Sequence, residues 1–238
     1  MSVRWDTNTD TLSATTHMPS SPINHSVFGF GKLINSVGGT FRPFYSLYDS
    51  GFSGTTCQIL RVDAGSNDLL ILGGSNAAQV LASVSTGLWF AWALTCAGTG
   101  ANQLIGYFKY LTDSGWTTAS VTGINPTAAN EYVGSVGSGN YCDQEGRYIR
   151  MWDAVLTPTE LLAEANSATL VRTANIRRNL ALATGATAGT DSSGNGFNMS
   201  GSGLVDGASE PTFGGRGMPF GPRGNTFNGG RCLQGILR

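Results

Sequence analysis

The chain has 238 residues, 40% of them apolar, with 34 glycines and only 12% charged residues, a balance that excludes an intrinsically disordered protein and fits one large β-rich domain. Its net charge of −1 is uneven: residues 211–238 hold Arg216, Arg223, Arg231 and Arg238 and no acid, whereas residues 1–210 hold 10 basic and 15 acidic side chains. The body is therefore expected to bind no nucleic acid, a task that needs clustered Lys and Arg.

The opening stretch, Met1 to Ser21, has neither the basic start nor the apolar run of a secretory signal, so no export is expected. Nine short apolar runs follow: SVFGFGKLI (26–34), RPFYSLYD (42–49), TTCQILRVD (55–63), DLLILGG (68–74), QVLASV (79–84), LWFAWALTC (88–96), QLIGYFKYL (103–111), EYVGSVG (131–137) and GRYIRMWDA (146–154). Each is bounded by Gly, Asn, Asp, Ser or Thr, which predicts an all-β protein, a two-sheet antiparallel sandwich or jelly roll, rather than βαβ units. The span Val80 to Gly98 is long and apolar enough to raise a membrane helix. Ser83, Ser85, Thr86, Gly87 and Thr95 interrupt it and no Lys or Arg flanks it closely, so it reads as a pair of buried strands and no membrane insertion is expected.

After Leu156 the period changes. Thr157 as N-cap, Pro158 at the first helical position and Glu160 three residues on form a capping box, predicting a short helix over 157–166. Leu161, Leu162 and Ala165 supply its apolar face, and it is expected to lie as a lid over one end of the core. Cys57, Cys96, Cys142 and Cys232 form no CxxC pair and no His stands at ligand spacing, which argues against structural zinc and for reduced thiols.

The run Gly146 to Leu161, GRYIRMWDAVLTPTEL, resembles the closing strand, turn and helix of laminin G-like, concanavalin A-like jelly rolls, with Trp152, Asp153, Leu156, Thr157 and Glu160 matching. The acidic pair found early in that strand in some members is replaced by Arg147 and Tyr148. Looser likenesses run through the rest: the N-terminal strands, the GLWFAWALTC to LIGYFKY hairpin, and Leu180 to Gly207. This last piece stands after the helix here, whereas the family usually places it first. It either completes the same sandwich (1–213) in permuted strand order or begins a second repeat.

Chemistry has few candidates. The five glutamates never form the Glu-x-Asp-x-x-Glu pattern of the family's glycoside hydrolases, and Asp143 and Glu145, two apart, read as the start of a Gly-flanked turn. YFKY at 107–110 echoes alginate lyases, yet Leu60 stands where that family needs His. The chain is thus expected not to be an enzyme; a polysaccharide hydrolase or lyase is the minor alternative. No cofactor or metal is expected, with calcium at the oxygen-rich DSSGNG turn, Asp191 to Gly196, as the alternative. Trp89, Trp92 and Trp152, on alternating strands, read as core. Tyr110, Asp113, Trp116 and Tyr141, on or beside loops, are the candidate glycan contacts, since aromatic faces stack on pyranose rings while polar neighbours hold hydroxyls.

The last segment, 214–238, is a Gly/Arg-rich extended arm, with Pro219 and Pro222 opposing regular pairing. Arg216, Phe220, Arg223, Phe227, Arg231, Leu233, Ile236 and Arg238 alternate positive charge with apolar anchors, a pattern fit for lying on another subunit. The resemblance implies a bacteriophage virion protein, a head decoration or tail-fibre subunit, partnered by its own copies or other virion subunits and by a cell-surface or extracellular glycan. Its location would then be the virion, assembled in the host cytoplasm. A free lectin-like carbohydrate-binding module stays open beside it.

Overall fold

The computed structural model describes residues 2–6, 10–15, 24–35, 42–48, 57–63, 65–125, 130–134 and 143–213. Tyr141, Cys142, Cys232 and the whole arm 214–238 lie outside these. In chain order the strands are β1 (Ser2–Trp5), β2 (Thr11–Thr15), β3 (His25–Leu33), β4 (Arg42–Tyr48), β5 (Cys57–Val62), β6 (Leu69–Gly73), β7 (Asn76–Leu81), β8 (Trp89–Cys96), β9 (Leu104–Tyr110), β10 (Thr117–Val121), β11 (Asn130–Val133) and β12 (Gln144–Trp152). Helix α1 (Pro158–Ala165) follows, then β13 (Ile176–Leu180), a 3-10 turn (Gly185–Thr187), β14 (Ser200–Ser202) and β15 (Val205–Gly207).

They form two antiparallel sheets, the jelly-roll sandwich that the turn-bounded apolar runs predict. One sheet runs β10-β9-β8-β3-β12-β1-β15, with β13 also paired to β12; the other runs β14-β2-β11-β4-β5-β6-β7. Side chains alternate across each strand, so Val27, Trp92, Leu94 and Phe108 meet Leu12, Leu47, Leu60 and Ile71 between the sheets. Gly29 makes room there: a Cβ on it would stand 2.6 Å from Trp92 Cζ2. The span read as paired strands rather than a membrane helix contributes the end of β7 and all of β8, and no helix among the described residues is long and apolar enough to cross a membrane.

The segment after the helix supplies an outer strand to each sheet: Ser200 pairs with Ser13 of β2, and Gly207 with Ser2 of β1. Just before them, DSSGNG (191–196) is a turn organised by one carboxylate. Asp191 accepts from the backbone N–H groups of Asn179, Ser193 and Phe197 and from the Ser193 hydroxyl. Burial pushes its pKa up, but those hydrogen bonds outweigh it and hold the carboxyl below its ordinary value.

Helix α1 keeps the predicted capping box, with Thr157 accepting from the Glu160 N–H at 3.3 Å and Glu160 Oε2 accepting from the Thr157 N–H at 2.8 Å. Its place differs from the expected lid over an end of the core. Leu156, Leu161 and Ala165 pack on a second apolar cluster made by the outward faces of the eight-stranded sheet, including Phe28, Phe30, Ala93, Tyr107 and Trp152. That sheet is apolar on both sides, so it needs cover on both. Leu162 is only half-buried, and the third buried side chain of the helix is Glu164, ion-paired with Arg150 of β12.

Two tyrosines of β4 make a pH expectation. Burial pushes the inward-facing Tyr45 phenol well above its ordinary value, with Glu131 adding to it, and pushes Tyr48 up to about 12, with Cys57 adding. A folded pKa above the unfolded one means that the unfolded chain loses its proton first as pH rises. The contribution of Tyr48 is whole below pH 10 and falls between 10 and about 12, and that of Tyr45 also starts to fall above pH 10. Chemical denaturation across that range is expected to show stability declining with pH, and Y48F should flatten the decline; an unchanged slope in Y48F would count against it.

Candidate functional site

Of the sequence-predicted glycan contacts, the structure joins two and separates the third. The β9–β10 hairpin turn is closed by Asp113, whose Oδ2 accepts from the Tyr110 N–H at 2.9 Å while its own N–H donates to the Tyr110 carbonyl at 3.0 Å. Tyr110 turns to the inner side, its ring edge-on to Phe108 at 4.9 Å and its hydroxyl accepting from the Ser85 N–H. Trp116 lies on the outer side, edge-on to Tyr107 at 5.9 Å, with Nε1 donating to the Pro158 carbonyl at the start of α1 at 3.1 Å. Trp116 is thus a half-exposed indole fixed at two points, whereas Tyr110 serves the core edge. Tyr141 is outside the described residues.

Among the tryptophans read as core, Trp92 lies between the sheets and Trp152 in the outer cluster, its Nε1 donating to the Arg172 carbonyl at 2.8 Å. Trp89 is half-buried on the outer face and donates to the Ser209 hydroxyl.

The acids are occupied. Glu145 is the second residue of β12, not part of a turn, and Asp143 immediately precedes the strand. Asp143 takes two hydrogen bonds from Arg4, at 3.0 and 3.1 Å, and one from Asn35. Glu145, 2% exposed, lies 3.8 Å from Lys32 Nζ and accepts from the hydroxyls of Ser2 and Ser209. Glu131, Glu160, Glu164 and Glu210 each pair with an arginine. Among the described residues no group of three His, Cys, Asp or Glu gathers as a metal site. Cys57 and Cys96 are buried, and burial pushes the Cys96 thiol up.

The feature that sequence reasoning missed is Lys109. On β9 it alternates outward with Tyr107, and its register partner on β8 is Ala91, itself opposite Phe30 of β3. The side chain is 1% exposed, yet eight other described cations have a carboxylate within 4.0 Å and Lys109 has none among the described residues. Burial pulls its pKa down, and Asp113 works against that. Tyr107 and Trp116 bound this spot on one side, Leu111 and Trp89 on the other.

No family model matches the chain, and no curated protein matches it. Solved structures do. A heptameric SAP-like pentraxin from Limulus polyphemus aligns over 86% of this chain and 93% of its own, at 13% identity and TM-score 0.58. A putative carbohydrate-binding protein from Bacteroides ovatus aligns over 86% of this chain and 59% of its own, at 12% identity and TM-score 0.58. The enzymatically active domain of bacteriophage CBA120 tailspike protein 2 aligns over 71% of this chain and 28% of its own, at 16% identity and TM-score 0.56. At these identities the likeness is one of fold: the chain has the sandwich of the concanavalin A-like jelly rolls.

Proposed function

We propose that this chain is a non-enzymatic glycan-binding sandwich that serves as a virion subunit of the head-decoration or tail-fibre kind. The observation that carries the glycan reading is the pinned indole of Trp116, half-exposed and held by both Tyr107 and Pro158. An aromatic face that loses no freedom on binding is a suitable platform for a pyranose ring. The fold shared with a carbohydrate-binding protein and with part of a phage tailspike supports the reading, as does the pairing of every glutamate with a cation. Glycoside hydrolysis needs one carboxyl held protonated beside a second, free carboxylate. The arm, with its alternating arginines and apolar residues, would dock on copies of the chain or on other virion subunits, and the heptameric pentraxin is a precedent for self-association of this fold.

A glycan array with the full chain tests the first part: Trp116→Ala is expected to weaken the best ligand about tenfold while the melting curve stays cooperative. Deleting residues 214–238 tests the second. Lost assembly with a folded sandwich supports the arm, whereas unchanged monomeric behaviour favours a free lectin. Turnover of any polysaccharide in the array, abolished in Glu145→Gln, would overturn the non-enzymatic reading.

A further inference from the structure

We propose that the outer face of the β9–β10 hairpin receives the anionic group of an acidic sugar, a carboxylate or a sulfate, on the amine of Lys109. This rests on the glycan reading and narrows it to a ligand class. The argument begins with charge. Eight described Lys and Arg side chains each meet a carboxylate, including two buried pairs, Arg150–Glu164 and Arg178–Glu131. This fold therefore neutralises its cations even in the interior, as the cost of burying a lone charge demands. Lys109 departs from that pattern: its stem is sheathed, and its amine makes no hydrogen bond to a described residue, although it is not one of the atoms sealed from solvent without a partner. The nearest acid that acts on it, Asp113, is committed to the Tyr110 N–H.

A cation kept unpaired in a partly dry surface meets an external anion with less screening than one in open water. Around it the walls are those a sugar ring uses, Trp116 and Tyr107 on one side, Leu111 and Trp89 on the other. Charge-assisted hydrogen bonding of a carboxylate or sulfate to the ammonium fixes one end of such a ring, and the indole of Trp116 takes its apolar face.

The chain has only two lysines, Lys32 and Lys109, and Lys32 is tied to Glu145 and Ser209, which makes an acylation footprint read by mass spectrometry decisive on the full wild-type chain. Oligogalacturonate and chondroitin sulfate are the probes, each with its neutral counterpart, the methyl ester and desulfated chondroitin. Slowing of Lys109 acylation by one of the acidic probes, about fivefold or more, with Lys32 unchanged and the neutral counterpart inert, is the expected result, and the probe that protects tells carboxylate from sulfate. Lys109→Gln should then lose about tenfold in affinity for that probe, and Lys109→Arg should keep most of it. If Lys109→Gln fails to fold, the wild-type footprint alone decides, and a Lys109 that is not acylated at all in the free chain, its amine lying out of a ligand's reach, overturns the inference. Binding of an acidic probe without protection of Lys109, or at full strength in a folded Lys109→Gln, overturns this inference and leaves the glycan reading standing. If neither acidic nor neutral sugars bind, both fall.

Discussion

Replacing Glu164 with alanine is expected to lower the melting temperature by about 10 °C, a larger effect than any surface substitution on this chain. The carboxylate is fully buried on helix α1 and serves three partners. It pairs with Arg150 of β12, and its other oxygen accepts from the backbone N–H groups of Val171 at 3.1 Å and Arg172 at 2.6 Å. Removing it strands a buried guanidinium and two amides, and breaking a buried pair from one side costs about 3–5 kcal/mol. At about 2–4 °C per kcal/mol for a domain of this size, that gives the shift stated. Differential scanning calorimetry checks it; a shift under about 3 °C would mean that the helix clamp contributes little.

The second large effect concerns the pair between the sheets. Arg178 of β13 lies within 2.5 Å of Glu131 on β11 and donates through Nε to the Phe197 carbonyl at 2.6 Å. It thereby joins the two sheets and the DSSGNG segment at one point. Arg178→Met is expected to destabilise by about 3–5 kcal/mol, because Glu131 is left buried without the partner it pairs with. The double change Arg178→Met with Glu131→Leu should recover most of that loss, since an apolar pair of similar volume owes no desolvation. Urea denaturation of the single and double variants measures both. Equal losses in the two would show that the Nε bond to Phe197, not the charge pair, holds this corner.

Much of this architecture is legible in the chain. LWFAWALTC is apolar without alternation, which marks a strand covered on both faces, and β8 is such a strand, with Trp92 inside and Ala91 and Ala93 outside. The capping residues of α1 act locally, so Thr157, Pro158 and Glu160 announce the helix; its seat does not follow from them, because which surface is apolar depends on β12 together with β3, β8 and β9, which are distant in sequence. Reading Leu161, Leu162 and Ala165 as the apolar face leaves out Glu164, which shares the buried face with Leu161 and Ala165 at i, i+3 and i+4. The short outer strands β10, β14 and β15 carry too few apolar residues to leave a pattern, and β13 hides behind Arg177 and Arg178. For the site, Tyr110, Asp113 and Trp116 were legible as residues on or beside a loop, but the hairpin was not, because β10 leaves no pattern. The face on which Trp116 emerges was not, since that depends on the conformation of Leu111 to Gly115. Nor was the isolation of Lys109, which is a property of its neighbours Ala91 and Phe30 in space.

The pairing of β1 has a consequence for biosynthesis. Its two flanking partners are residues 144–146 of β12 and residues 205–207 of β15, so β1 has no hydrogen-bonding neighbour in the sheet until β12 has been translated. Closing such distant contacts is slow and leaves strand edges open meanwhile. Strand β1 must wait, and a chaperone or rapid translation through residues 57–121 would protect it during that interval.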